Sequence, residues 1–108
     1  MTIIAGPDGD GLGEALTARG VEVARVEGTA TREKLVEAGI ETAETFVLTD
    51  VAEATAIPIA KDDNPGVRVV VYSEETLPEF ARGQADLAVD PNLLGPDVVA
   101  EELTNGHA

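Results

Sequence analysis

A glycine-rich stretch near the N-terminus has the composition of a phosphate-binding turn. Residues 6–13 read GPDGDGLG, and they lie between an apolar run at residues 2–5 and a helical pattern. Turns of this kind hold phosphates in many α/β proteins, because their backbone N–H groups point at the anion. The carboxylates of Asp8 and Asp10 would repel a phosphate. The residues therefore leave open a nucleotide loop, a degenerate nucleotide loop and a simple tight turn.

The acidic residues suggest two further kinds of site. Asp8 and Asp10 follow the first predicted strand and Asp50 follows the third, and carboxylate oxygens are ligands for cations such as Mg²⁺ or K⁺. The same acids, with Ser73 after the fourth strand, occupy positions used by phosphoacceptor receiver domains. Those domains need a lysine after the fifth strand, where this chain has Asp90. An active receiver is therefore disfavoured, and no metal ligand is assigned.

The composition argues against an enzyme. The chain has 108 residues, no cysteine and one histidine, His107, within a predicted flexible tail at residues 104–108. Thiol chemistry and thiolate metal sites are excluded, and no nucleophile–base pair or phosphate-loop lysine is apparent. We expect one non-catalytic domain over residues 1–103.

The charge indicates the surroundings of the protein. There are 21 acidic and 7 basic residues, which gives a net charge of −14, and the only lysines are Lys34 and Lys61. Carboxylates that are spread along the chain fit a cytoplasm at molar salt, where the Debye length is about 3 Å and self-repulsion is screened. An ordinary solvated surface is the alternative interpretation. Nucleic acid is an unsuitable partner, because phosphate binding needs a basic patch.

Neither a membrane-spanning segment nor an export signal is expected. No apolar run approaches the roughly 20 residues that span a bilayer. The N-terminus lacks a basic region followed by an apolar core, so no signal peptide is expected. We predict a cytoplasmic protein.

Strand and helix patterns alternate along the whole chain. The predicted strands cover residues 2–5, 21–26, 45–49, 67–72 and 86–89. The predicted helices cover residues 11–19, 32–38, 51–62, 77–82 and 96–103. Strict alternation with right-handed crossovers predicts a three-layer Rossmann-like or flavodoxin-like sandwich with a five-stranded parallel sheet in the order 2-1-3-4-5. Ligands of such folds bind where the strand order reverses, here beyond the first and third strands.

Capping patterns set the expected helix ends. Thr31 should cap the second helix and Thr76 the fourth. Asp50 with Glu53 forms a capping box for the third. Pro58 lies inside that third helix and should kink or split it.

Most of the chain resembles one known family. The matching segments are residues 28–40, 43–50, 67–73 and 85–94, which include GTAT, AETFVLTD and DPNLL. They resemble, in order, the segments of the TrkA-N or RCK domain, the N-terminal NAD-binding domain of potassium-transport regulators. The resemblance covers about residues 20–103. It implies a shortened, stand-alone relative, and the acidity favours a haloarchaeal source.

The resemblance implies a regulatory module with an adenine nucleotide, such as NAD, as its ligand. Glu27 would hold the ribose. The cofactor-binding residues are then expected to be Gly6, Gly11, Gly13, Glu27, Thr49 and Asp50.

Departures from the family pattern support an alternative. If Gly13 is the third glycine of the phosphate loop, Asp8 and Asp10 stand where the first two should be. A unit of roughly 18 residues is missing before residues 28–31, and Thr29 replaces an aspartate. The alternative is a degenerate domain that binds no nucleotide and acts through protein contacts, as a homodimer or scaffold. A homo-oligomer is expected in either case.

Overall fold

The protein is a three-layer α/β sandwich, as the sequence predicts. The structure is a computed structural model, and residues 1–105 are described. The strands are β1 (Thr2–Ala5), β2 (Val23–Val26), β3 (Thr45–Leu48), β4 (Arg68–Tyr72) and β5 (Leu87–Val89). They form one parallel sheet in the order β2-β1-β3-β4-β5. The predicted fold class and strand order are confirmed.

Helices cover both faces of this sheet. They are α1 (Leu12–Ala18), α2 (Arg32–Ala38), α3 (Ala56–Asp63), α4 (Glu79–Arg82) and α5 (Pro96–Asn105). One core, which includes Ile3 and Phe46, lies on the side of α2, α3 and α4. The other, which includes Ile4 and Val47, lies on the side of α1 and α5. Adjacent residues of β1 and β3 thus point into opposite cores, which is why these strands are apolar throughout.

The third helical segment differs from the prediction. A 3₁₀ turn (Val51–Glu53) comes first, and α3 begins only at Ala56. Pro58 therefore lies in the first turn of α3, where its missing N–H has no partner to lose. The predicted split is confirmed, and the predicted start at residue 51 is wrong.

The fourth and fifth helices also differ at their ends. The residue before α4 is Pro78 in an extended conformation, without a side-chain cap, so the predicted cap by Thr76 is wrong. Helix α5 continues to Asn105, through the first two residues of the predicted tail. His107 lies outside the described residues. Thr31 does cap α2, with its side chain accepting a hydrogen bond from the Lys34 N–H.

An ion pair holds the edge strand β5 in place. The Asp86 carboxylate accepts hydrogen bonds from the Val69 N–H at 2.7 Å and from Lys61 Nζ at 3.0 Å. Burial alone would raise the pKa of the Asp86 carboxyl, but these two hydrogen bonds and the Lys61 charge outweigh it, so its pKa lies below the ordinary value. The carboxylate thus ties β5 to both β4 and α3.

Candidate functional site

The loops after β1 and β3 meet, as the strand order predicts. Gly6 has φ of +107°, and a Cβ there would collide with Thr49 Oγ1 and lie 3.0 Å from the Asp50 nitrogen. The Thr49 N–H donates to the Ala5 carbonyl at 3.0 Å. Gly6 is therefore required both by its backbone conformation and by the close approach of the second loop.

A cleft of about 520 Å³ lies beside this contact. Its lining residues are Gly6, Pro7, Glu27, Gly28, Thr29, Asp50 and Glu53. The structure thus brings together three of the expected cofactor-binding residues, Gly6, Glu27 and Asp50. Gly11, Gly13 and Thr49 do not line the cleft. Because its lining contains three carboxylates and no basic side chain, the cleft disfavours an anionic ligand.

Asp8 occupies the position where a phosphate would bind. Its carboxylate accepts hydrogen bonds from the Leu12 and Gly13 N–H groups, each at 2.8 Å. Arg25, on β2, donates to the same carboxylate at 3.0 Å. The Asp8 side chain is only 8% exposed. The first amides of α1 and the nearby guanidinium therefore already have an anionic partner that belongs to the chain.

The glycines of the loop serve this arrangement. Gly11 precedes α1 with φ of +82°, in the left-handed region. A Cβ on Gly13 would collide with the Arg25 guanidinium and lie 2.9 Å from Asp8 Oδ2. The absence of a side chain at Gly13 leaves room for the Asp8–Arg25 ion pair beside the start of α1.

The predicted capping box is only half formed. Asp50 Oδ1 accepts from the Ala52 N–H at 2.9 Å, as a cap should. The Glu53 side chain instead accepts from the Ala30 N–H at 2.8 Å, across the cleft in the turn before α2. Glu53 is a cleft residue that the sequence assigned only to helix capping.

The residues compared with a receiver domain have other partners. Asp90 Oδ1 accepts from the Asn92 N–H at 2.8 Å, and Ser73 Oγ accepts from the Glu75 N–H at 3.1 Å. Asp8 is held by Arg25, away from any shared site with Asp50. Within residues 1–105, no group of three or more acidic or histidine side chains is placed to hold a metal ion.

A second cavity, absent from the sequence interpretation, lies at the carboxyl ends of β4 and β5. We call it the β5 cavity; its volume is about 360 Å³. Its apolar lining residues are Val71, Leu77, Ala85, Ala88 and Val89. Its polar lining residues are Ser73, Glu75, Thr76, Arg82 and Asp90. The signal in the sequence is weak, because the lining comes from a short helix, two strands and the loops that join them.

Tyr72 lies on the opposite face of the sheet from this cavity. It is buried, and its hydroxyl donates to the Leu94 carbonyl at 2.9 Å. Burial, and then the negative charges of Asp10 and Asp8, raise the pKa of the Tyr72 hydroxyl above its ordinary value.

Solved structures share the fold at low sequence identity. A candidate pilus assembly protein, CpaE, from Burkholderia thailandensis has a TM-score of 0.60 at 16% identity, covering 95% of this chain and 93% of that chain. A candidate pilus assembly-related protein from Burkholderia pseudomallei has a TM-score of 0.59 at 15% identity, covering 96% and 87%. RecJ from Thermus thermophilus has a TM-score of 0.50 at 21% sequence identity, and the match covers 97% of this chain and 18% of that chain. These likenesses show the fold alone.

No helix within the described part of the chain is long and apolar enough to cross a membrane.

Comparison by sequence gives one family. No curated protein matches the chain significantly. The family's own description names no catalytic activity. Its model matches residues 2–103, and the chain belongs to this family of unknown function, DUF7126.

Proposed function

We propose that the chain is a non-catalytic regulatory module that acts through protein contacts and holds no nucleotide phosphate at α1. The observation that carries this proposal is the Asp8 carboxylate, which accepts the Leu12 and Gly13 N–H groups and pairs with Arg25. This is the degenerate-domain alternative of the sequence analysis.

The electrostatics of the cleft support the same function. A pyrophosphate at this edge of the sheet would have to displace a buried, paired carboxylate. It would also lie near Glu27, Asp50 and Glu53, whose charges repel it. Like charges that are brought together in a partly desolvated site cost several kcal/mol. The resemblance to TrkA-N domains then reflects a common architecture whose phosphate loop has been converted into an internal ion pair.

An uncharged nucleoside is the second candidate ligand. Glu27 lines the cleft at the position where the TrkA-N resemblance places the ribose-binding acid. A carboxylate accepts hydrogen bonds from ribose hydroxyls, and a nucleoside brings no phosphate toward Asp50. Adenosine would therefore suit the cleft better than AMP or NAD would.

A ligand panel separates these candidates. Thermal unfolding is measured in about 2 M KCl with NAD, ATP, AMP and adenosine. A ligand at 100 times its Kd adds about 2.7 kcal/mol, which raises the Tm of a domain of this size by several degrees. We expect no rise with the three phosphate-bearing compounds.

Glu27→Gln is the matched control for the nucleoside. A rise with adenosine that Glu27→Gln abolishes would support the second candidate. A rise with NAD or ATP larger than that with adenosine would overturn the proposed function.

A further inference from the structure

The β5 cavity exists because one face of the sheet edge is left uncovered. Ala88 and Val71 are register partners on neighbouring strands, so their side chains lie on the same face. Val71 is buried there, whereas Ala88 is exposed. Strands of a parallel sheet are normally covered on both faces, but α4, in the crossover to β5, has only four residues. The edge of the sheet therefore keeps an open apolar floor.

The size and composition of the cavity suit a small molecule. Its volume of about 360 Å³ lies at the lower end of the range of about 300–1,000 Å³ that is typical of small-molecule sites. Such sites have a mainly apolar lining with a few polar groups. Here the apolar floor is joined by Arg82, Glu75 and Asp90, which carry charges of both signs. The charged residues of the cleft beyond β1 and β3, by contrast, are all acidic.

Arg82 is held at the cavity wall with donors to spare. Its Nε donates to the carbonyl of Leu77, another lining residue, at 3.1 Å. A guanidinium has five N–H donors in one plane and can bind a carboxylate through two parallel hydrogen bonds. Within residues 1–105, Arg82 belongs to no ion pair. A positioned cation is therefore available to a carboxylate group in the cavity.

The two acidic residues of the cavity come from the strand ends. Asp90 directly follows β5, and its Oδ1 accepts from the Asn92 N–H at 2.8 Å. Ser73 directly follows β4, and its N–H donates to the Val89 carbonyl at 3.1 Å. Ser73 Oγ accepts from the Glu75 N–H, also at 3.1 Å. In the described part of the chain neither acid forms an ion pair. The cavity thus has acids at the strand ends and a cation on α4, which do not neutralise one another.

This pattern of charges selects the class of ligand. An anion would be repelled by the two carboxylates, and a simple cation would be repelled by the guanidinium. A zwitterion can place its carboxylate at Arg82 and its ammonium group at Glu75 and Asp90. The apolar floor then receives an aliphatic side chain.

We infer that the β5 cavity binds a free α-amino acid with an aliphatic side chain, whose carboxylate pairs with Arg82 and whose ammonium group pairs with Glu75 and Asp90. The inference goes beyond the proposed function, because it adds a small-molecule site at another place on the sheet. It does not depend on what occupies the amides at the start of α1.

The first test is a titration followed by NMR of the backbone amides, in about 2 M KCl, which screens the net charge of −14. L-leucine, L-isoleucine and L-valine are added separately to the full chain. We expect at least one to bind with a Kd of roughly 1 mM or tighter, the range for a ligand of so few atoms. The shifted amides should cluster at residues 71–77 and 82–90, and those of residues 6–13 should not move.

Two derivatives of the tightest of these amino acids test the pairing of charges. The N-acetyl derivative keeps the carboxylate but has no ammonium group, and the carboxamide keeps the ammonium group but has no carboxylate. Each should bind at least about tenfold more weakly than the parent amino acid, because it loses a charge-assisted hydrogen bond. The carboxamide is the stricter comparison, because an acidic chain attracts any small cation. A carboxamide that binds as tightly as the amino acid would overturn the pairing with Arg82.

Variants of the lining locate the site, and the two charge changes have matched controls. Glu75→Gln removes a charge from the cavity, whereas Glu74→Gln removes the same charge from the adjacent residue, which does not line it. Arg82→Gln is matched by Arg19→Gln, at an exposed arginine that follows α1. Ala88→Leu fills the floor and should fold, because Ala88 is exposed on β5. We expect at least about tenfold weaker binding for the three lining variants and unchanged binding for the two controls, with folding checked by circular dichroism.

Two further outcomes would overturn the inference. One is that none of the three amino acids shifts an amide of residues 71–90 at about 20 mM, well above the expected Kd. The other is that Glu74→Gln weakens binding as much as Glu75→Gln does. Neither result bears on the proposed function, which the nucleotide panel tests at the cleft beyond β1 and β3.

Discussion

Removal of the Asp8 carboxylate should destabilise the fold far more than removal of the Asp10 carboxylate in the same loop. Asp8→Ala deletes the partner of the Leu12 and Gly13 N–H groups and leaves Arg25 without its counter-charge. Hydrogen bonds to charged groups contribute about 1.5–3 kcal/mol, and a part-buried donor left without its partner loses a similar amount. Arg25 is half-exposed, so its ion pair adds less than about 1 kcal/mol.

We therefore expect Asp8→Ala to lower the free energy of unfolding by about 2 kcal/mol. In a domain of about 100 residues this lowers the Tm by roughly 10 °C. The assay is urea unfolding followed by circular dichroism at constant salt, with the slope compared among variants. Asp8→Asn should lose less than Asp8→Ala, because its one amide oxygen can still accept one of the two N–H groups.

Asp10→Ala is the matched control. Asp10 belongs to the same loop and carries the same charge, but within the described residues its side chain accepts no hydrogen bond. It should be neutral, or slightly stabilising through reduced net charge. If Asp8→Ala and Asp10→Ala unfold within about 0.5 kcal/mol of each other, the carboxylate does not satisfy α1, and the argument that it takes the place of a phosphate fails.

Three further predictions concern the loops and the titrating groups. Gly6→Ala should lower the free energy of unfolding by about 1–3 kcal/mol, because φ at Gly6 is positive and a Cβ there would meet Thr49. Gly9→Ala, with open space around its Cβ, should leave stability unchanged, and equal urea midpoints for the two variants would contradict this. Tyr72 is the only tyrosine in a chain without tryptophan, so absorbance at 295 nm should show its hydroxyl ionising above the ordinary tyrosine pKa, and Asp10→Asn at low salt should lower the Tyr72 pKa. The contribution of Tyr72 to the free energy of unfolding should fall as pH rises from the pKa of the unfolded chain through that of the folded protein. Because the pKa of Asp86 is depressed in the folded protein, the ionised carboxylate should stabilise the fold above the pKa of the unfolded chain, and this stabilisation should be lost as pH falls through the pKa of the folded protein. The difference in free energy of unfolding between the unmodified chain and Asp86→Asn should therefore shrink in acid, and a difference that is constant with pH would refute this prediction.

The architecture was predictable because its signals are local. Apolar runs such as residues 45–48, rich in β-branched and aromatic residues and bounded by polar ones, favour buried parallel strands, and Thr31 caps α2 through the N–H three residues later. Pro58 forced the split in the third helical segment. These features depend on a few adjacent residues, so no knowledge of the packing was needed.

The chemistry of the site was not predictable, because it depends on long-range partners. Asp8 and Arg25 are 17 residues apart, and Glu53 and Ala30 are 23 residues apart. A carboxylate in a glycine loop can repel a phosphate or replace it, and only the position of the amides decides which. Thr76 failed as a cap because Pro78 takes the position before α4.

The Asp8 ion pair has a consequence for what the module could sense. A carboxylate attached four residues before α1 competes for the Leu12 and Gly13 amides as an intramolecular partner, at an effective concentration set by the loop and not by diffusion. On the proposed function, the loop would keep one conformation whatever the nucleotide level, and information would enter this domain through the abundance of its protein partner, not through the nucleotide pool.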